Sequence, residues 1–276
     1  MSRRNEHDPA VSVIVPVKNE AGNIAPLVAE IAAALKGRAF EVVYVNDGSE
    51  DATEAELLGL MTKRPWLRQI RHEESYGKSA ALRTGVTMAR APVVVTLDGD
   101  CQNDPAVIPT LIAKLEAGAP RLGLVAGQRV GRQTTVFKKL QSRVANALRS
   151  ALLKDGTVDS GCAIKAFRRD AFRSLPYFDG LDCFVPALMR REGFDIAYVE
   201  VLERPRRHGV SHYGLWNRLW VGILDTAGVL WLIRRAKRIP KPEEVTLARD
   251  LGYADDGSKM RSDVELRRHQ PSIGGW

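Results

Sequence analysis

Short apolar runs alternate along the first half of the chain with longer stretches whose apolar positions recur every three or four residues. Residues 11–15, VSVIV, read as a buried strand. Beyond Pro16-Val17-Lys18-Asn19-Glu20, the residues Ile24, Leu27, Val28, Ile31 and Leu35 share one helical face. FEVVYV at 40–45 is a second strand, and a helix over 52–62, a short strand near 68–71 and a helix over 77–90 follow. They lead to the strand VVVTL at 93–97. Strands alternating with helices of this length predict βαβ units, hence a parallel sheet with helices on both faces.

Beyond residue 120 the pattern is less regular. LGLVAG (122–127), CAIKAF (162–167) and FDIAYVEVL (194–202) read as strands. Residues 135–153 are expected to form a helix with Phe137, Leu140, Val144, Leu148 and Leu152 inward, and Asp170 is expected to cap a short helix. The segment 215–233, LWNRLWVGILDTAGVLWLI, holds Trp216, Trp220 and Trp231 and runs into Arg234, Arg235, Lys237 and Arg238. Asp225 and Thr226 interrupt it near the middle. A carboxylate at the centre of a bilayer costs about 2.5–3.5 kcal/mol on insertion scales. The pattern therefore favours a helix lying in the interface or docked on a partner over one that spans. The tail 240–276 is polar without sustained period and is expected to be mobile.

Three predicted strands end in polar, glycine-containing loops: PVKNE, NDGSEDAT and DGDCQNDP. In open α/β sheets the ligand lies beyond the carboxyl ends of the strands, so the loops can converge on one crevice. In Asp98-Gly99-Asp100, residues two apart on an extended backbone point to the same side, and glycine lets the chain turn and a ligand approach. Carboxylate oxygens with the neutral oxygen of Gln102 suit Mg²⁺ or Mn²⁺, which complete their shells with water and phosphate oxygens. Taken alone, such a turn is equally a solvated one. Asp104-Pro105 reads as N-cap and N1 of the next helix. Lys78, at a helix start where a cation opposes the macrodipole, suits a facing diphosphate; a solvated surface lysine is the alternative.

The chain has 276 residues, 45% of them hydrophobic, with a formal net charge of +8. That suffices for one large domain with appendages, and the charge points to phosphates or an anionic membrane surface. No nucleic-acid-binding signature accompanies it, so no nucleic-acid partner is expected. Cys101, Cys162 and Cys183 lack metal-type spacing and read as reduced thiols. MSRRNEHDPA is polar and leads straight into a strand, so no signal peptide is expected. No apolar run reaches the ~18 residues of a spanning helix.

In order, VSVIVPVKNE, VYVNDGSEDAT, GKSAALRTG, LDGDCQNDP, AGQR, DSGCAIKAFRR and RPRRHGVSHYG run from residue 11 to 214. Together they resemble the family 2 glycosyltransferases of GT-A fold, in the polyprenyl-phosphate sugar transferase branch typified by dolichyl-phosphate mannosyltransferase. The resemblance implies a GT-A, Rossmann-like, mostly parallel sheet over 11–214, after a polar arm at 1–10. A Trp-rich membrane-associated helix at 215–239 and the tail at 240–276 follow. It implies inverting transfer from a GDP- or UDP-sugar to polyprenyl phosphate at the cytoplasmic face of a membrane, with Mg²⁺ or Mn²⁺ held by Asp98, Asp100 and Gln102. A small membrane-protein partner would suit a chain without its own span.

Nucleoside contacts are implied at Pro16, Glu20, Asp47 and Asp98, with backbone near Val17 and Gly99. An Asx-turn is the plainer role for Asp47. For the acceptor phosphate, Arg129, Arg132, Arg143, Arg204, Arg206, Arg207 and His208 are candidates, because guanidinium forks match phosphate. Arg129 and Arg207 lie inside family motifs. With Asp100 they are the expected catalytic residues. A phosphate monoester, its second pKa near ~6, needs no general base. Asp159 could orient acceptor or sugar, or serve as a cap. A soluble transferase acting on a sugar hydroxyl would instead need a base, such as Asp159 or Asp182, and an inactive sugar-nucleotide scaffold is the third reading. The sequence departs from the family pattern at Lys18, at Asn46 and at His212, where a fixed charge becomes a titratable one.

Overall fold

The computed structural model describes residues 8–130, 149–205 and 215–236, with side chains of 215–221 outside the description. Strand β1 (Val11–Val17) leads to helix α1 (Ile24–Ala34), β2 (Phe40–Asp47), α2 (Thr53–Met61), β3 (Leu67–His72), α3 (Lys78–Met88) and β4 (Val93–Thr96). A 3₁₀ turn (Pro105–Val107) opens α4 (Ile108–Ala117), and β5 (Leu122–Val130) follows. After β6 (Lys165–Arg168) come α5 (Arg169–Arg173), α6 (Leu181–Arg191), β7 (Asp195–Leu202) and α7 (Leu215–Arg234). Of the helix expected over 135–153, residues 149–153 are helical and the rest lies outside the described residues.

The sheet order is β3-β2-β1-β4-β6-β5-β7. All pairs are parallel except those made by β6, which runs antiparallel to β4 and β5. Both faces are buried. Val11, Val13, Val15 and Val17 turn toward α1 and α4, whereas Ile14, Val43, Val45 and Val94 turn toward α3, α5 and α6. This period-2 split of a strand buried on both faces is what a doubly covered parallel sheet requires.

One expectation needs correction, and one helix escapes the periodicity. Asp170 sits in the first turn of α5 but does not cap it; Arg168 is the N-cap. Helix α6 is absent from the periodicity because Pro186 lies inside it and an αL glycine, Gly180, precedes it, both of which read locally as breaks. Burial of Leu181, Phe184, Val185, Leu188 and Met189 overrides that local signal.

Helix α7 packs on the body. Val229 is 1% exposed, Leu230, Leu232 and Ile233 lie against the α3–α6 side of the core, and Arg191 donates to the Leu232 carbonyl at 3.1 Å. Asp225 turns inward: its carboxylate rests against Gly180 at the start of α6. Burial, then nearby Asp179, raise its pKa above the ordinary carboxylate value. Among the described residues no helix is long and apolar enough to cross a membrane.

Candidate functional site

In this strand order, β1 has β2 on one side and β4 on the other, so the chain reverses direction of winding between β1 and β4. The carboxyl ends of those two strands flank the crevice where open α/β sheets take ligands. Pro16, Val17 and Glu20 end one side, and Asp98-Gly99-Asp100 end the other. Gly99 is fixed by close approach: a Cβ there would lie 2.5 Å from Val17 Cγ1 and 3.5 Å from both Glu20 Cγ and the Pro16 carbonyl. The structure thus brings Pro16, Val17, Glu20, Asp98 and Gly99 together.

Strand β4 ends at Thr96, so Asp98 and Asp100 belong to a turn and not to the extended backbone anticipated for them. Their surroundings differ accordingly. Asp100 is 5% exposed and accepts the Gln102 amide N–H at 3.1 Å. The Asp98 side chain is 33% exposed and its Oδ1 lies 2.6 Å from Lys78 Nζ. Asp104 accepts from the Ala106 amide at 2.9 Å, the cap expected before Pro105.

Lys78, the first residue of α3, also lies 3.7 Å from Asp182 in the first turn of α6. Burial lowers its pKa, but Asp98 and then Asp182 raise it further, well above the ordinary lysine value. Lys78 stays charged at every physiological pH. Asp182 Oδ1 accepts the Ser79 hydroxyl at 3.1 Å. Sequence reading placed Asp182 only as a rival base; its nearness to Asp98 through Lys78 depends on α6, which the periodicity does not reveal.

Two carboxylates and an amide oxygen on one turn form the hard donor set that Mg²⁺ or Mn²⁺ takes, usually with one or two carboxylates and the rest from water and phosphate. Among the described residues no three His, Cys, Asp or Glu side chains converge as a metal cage, so a cation here would draw on two carboxylates and neutral oxygens. The Lys78 ammonium already places a cation against Asp98. The residues fit the metal.

Asp47 is fully engaged elsewhere. Its Oδ1 contacts His72 Nδ1 at 2.7 Å and the Tyr76 amide at 3.0 Å. Its Oδ2 accepts the Ser75 hydroxyl at 2.8 Å and the Gly77 amide at 2.9 Å. These four partners fill the four lone-pair sites of a carboxylate. In this arrangement His72 and the loop 73–77 take up the carboxylate. Asp47 ties the loop 73–77 to the end of β2 and so sets the position of Lys78. Gly48 makes the same junction possible: at φ +65°, a Cβ would meet the Glu74–Ser75 backbone at 2.7–2.8 Å.

Burial raises the Asp47 pKa, but the hydrogen bonds from His72, Tyr76, Ser75 and Gly77 outweigh it and hold the pKa below the ordinary value. A carboxyl with a lowered folded pKa stabilises the fold above its unfolded pKa and loses that contribution as pH falls through the folded value. Asp47→Asn is therefore expected to cost about 1–3 kcal/mol at neutral pH, as buried donors lose their acceptors. In urea titrations the gap from wild type should close on acidification. A constant gap across the acid range would remove this role.

Two of the arginines expected to grip an acceptor phosphate, Arg129 and Arg204, are arranged otherwise. Arg129 Nε and NH2 contact Asp159 at 2.5 and 2.8 Å, and NH1 contacts Glu203 at 2.9 Å. All three side chains are only 13–15% exposed. Burial lowers the arginine pKa, but Asp159 and then Glu203 raise it more. Arg204 bridges Glu30 and Asp104, each at 2.7 Å. The forks of both residues are committed to carboxylates, and Asp159 is a partner of Arg129. Arg207, Arg132, Arg143, Arg206, His208 and His212 lie outside the described residues. Cys101, Cys162 and Cys183 are free thiols, and burial, with Asp182 next, pushes Cys183 up to about 11.

A mostly parallel sheet with an Asp-Gly-Asp turn at its switch point is the architecture of GT-A glycosyltransferases. The chain belongs to Glycosyl transferase family 2, whose model matches residues 12–175. It is 31% identical over 245 residues to the dodecaprenyl-phosphate galacturonate synthase of Rhizobium johnstonii, covering 85% of this chain and 72% of that protein. It is 31% identical over 209 residues to the undecaprenyl-phosphate 4-deoxy-4-formamido-L-arabinose transferase of Edwardsiella ictaluri, covering 74% and 63%. The chain thus spans less than two thirds of that second relative. Glucosyl-3-phosphoglycerate synthase from Mycobacterium tuberculosis, solved with Mn²⁺, UDP and glucosyl-3-phosphoglycerate, shares the fold at TM-score 0.62 and 21% identity, over 83% of this chain and 81% of that one. The same enzyme has been solved with Mg²⁺ and UDP.

Proposed function

We propose that this chain is an inverting glycosyltransferase that moves a sugar from a nucleotide-sugar donor onto polyprenyl phosphate at the cytoplasmic face of a membrane. The observation that carries it is the Lys78–Asp98–Asp182 cluster at the switch point, beside Asp100 and Gln102. The two named relatives, both acting on polyprenyl phosphates by name, support the acceptor. Their sugars differ, a uronic acid and a formamido pentose, so they do not choose the donor.

Asp98, Asp100 and Gln102 would hold Mg²⁺ or Mn²⁺, which when bound supplies Lewis-acid neutralisation of the leaving diphosphate. Pro16, Val17, Glu20 and Gly99 shape the nucleoside side. Lys78, 2.6 Å from Asp98, meets a diphosphate arriving at the same turn. The acceptor phosphate is already anionic at neutral pH and attacks without a base. Direct displacement inverts the anomeric centre. Arg129 acts by holding Asp159 and Glu203 in place; Arg207 is the remaining motif arginine for the acceptor.

Asp182 supports a second reading, a base for a sugar-hydroxyl acceptor, because it sits in the cluster itself. One experiment separates the two: purified protein, Mn²⁺ and labelled UDP- and GDP-sugars are given either undecaprenyl phosphate or soluble oligosaccharides. Label entering the organic phase is the expected result. Label on the oligosaccharide alone would establish the second reading.

The outer face of α7 supports membrane association. Ile223, Leu224 and Trp231 are 51%, 70% and 60% exposed, and exposed Arg234 and Arg235 close the helix. With Asp225 turned to the body, an interfacial helix buries no charge in lipid. The double substitution Leu224→Glu/Trp231→Glu is expected to lower binding to anionic vesicles at least about tenfold, the loss of two apolar contacts, and to leave UDP binding intact. Unchanged vesicle sedimentation would refute the membrane role and leave a protein partner as the occupant of this face.

A further inference from the structure

Within the Lys78–Asp98–Asp182 cluster the site opens inward into a recess of about 20 Å³, whose polar lining is Lys78, Thr96, Asp98, Lys165 and Asp182. That volume takes one water or one small polar group. Its inner wall carries a second cation. Lys165 is 5% exposed and pairs with Thr96 across the antiparallel β4–β6 ladder, so both side chains stand on the α3–α6 face of the sheet.

The Lys165 ammonium donates to the Cys162 carbonyl, and among the described residues no carboxylate oxygen lies within 4.0 Å of it. Asp98 and Asp182 are both drawn to Lys78 instead. A buried ammonium costs free energy unless an anion compensates it. The amino-terminal ends of α3 and α6, opening on the same recess, add partial positive charge.

We propose that the recess receives the carboxylate of a uronic-acid sugar on the nucleotide donor, with Lys165 as its counter-ion. This rests on the donor site argued above and names the class of sugar. A diphosphate is too large for the recess and belongs at Lys78 and the Asp98 turn. A neutral hydroxymethyl group would fit but would bring no carboxylate within ion-pair distance of the ammonium. A carboxylate is small, singly charged and able to accept from the two remaining N–H groups of Lys165.

The test uses the full chain with Mn²⁺ and isothermal titration of UDP, UDP-galacturonate, UDP-glucuronate, UDP-galactose and UDP-glucose. At least one uronate is expected to bind ten or more times tighter than its neutral hexose counterpart. Lys165→Met, which keeps the length and removes the charge, should bring that ratio to within twofold of unity and leave UDP affinity unchanged. Lys165→Arg should preserve a preference for the uronate. The proposal is overturned if wild type binds hexose and uronate equally, a measurement that requires no variant to fold. It is also overturned if Lys165→Met keeps the preference. UDP binding without sugar discrimination would sink this proposal alone, whereas failure to bind UDP at all would sink the donor site with it.

Discussion

Asp100→Asn is expected to lower sugar transfer by about 10²–10³-fold at fixed Mn²⁺, since several kcal/mol of leaving-group stabilisation depend on a metal and each 1.36 kcal/mol is tenfold in rate. The substitution is informative because it spares the turn. Asp100 accepts the Gln102 amide through Oδ1, and an asparagine oxygen accepts the same bond. The loss should appear as weaker Mn²⁺ and UDP binding together with slower turnover. Near-normal activity at unchanged metal concentration would eliminate Asp100 as a metal ligand. A large drop in melting temperature would reassign it as a structural residue.

Arg129→Met is expected to destabilise the protein by about 3–5 kcal/mol, because it removes the guanidinium that Asp159 and Glu203 share in a mostly buried place. Urea unfolding measures the loss directly. Adding Asp159→Asn and Glu203→Gln should return much of it, since the penalty comes from burying two carboxylates without the Arg129 charge rather than from lost packing of the side chain. The alternative, a phosphate clamp, makes the opposite forecast: unchanged stability with a raised KM for the acceptor. That pattern would overturn the structural role assigned here.

The parts of the protein legible from residues alone are those governed by short-range rules. Apolar periodicity marks β1 through β4 and helices α1 through α4 to within a few residues, because burial on both sheet faces demands those patterns locally. Asp104-Pro105 reads as a helix start because capping needs only the next three residues. Gly99 between two aspartates reads as a turn for the same reason. The seven ordered motifs carry the family, and its matched model agrees with them.

What residues alone leave open is the pairing of charges and the elements whose local signal is weak. Arg129 finds Asp159 and Glu203 at 30 and 74 residues' separation, and Arg204 finds Glu30 at 174. A free arginine fork and a committed one have the same sequence, and only their neighbours in space distinguish them. Asp47 likewise reads as a ligand-facing acceptor until the loop 73–77 folds onto it. Helix α6 forms across Pro186 because its apolar side chains are buried by the sheet and α7, and with it come Asp182 and the recess containing Lys165. Composition and periodicity determine a doubly wound sheet with an acidic turn at its edge. Which charges remain available there is settled by long-range packing, since a buried ion takes whichever partner the fold brings within reach.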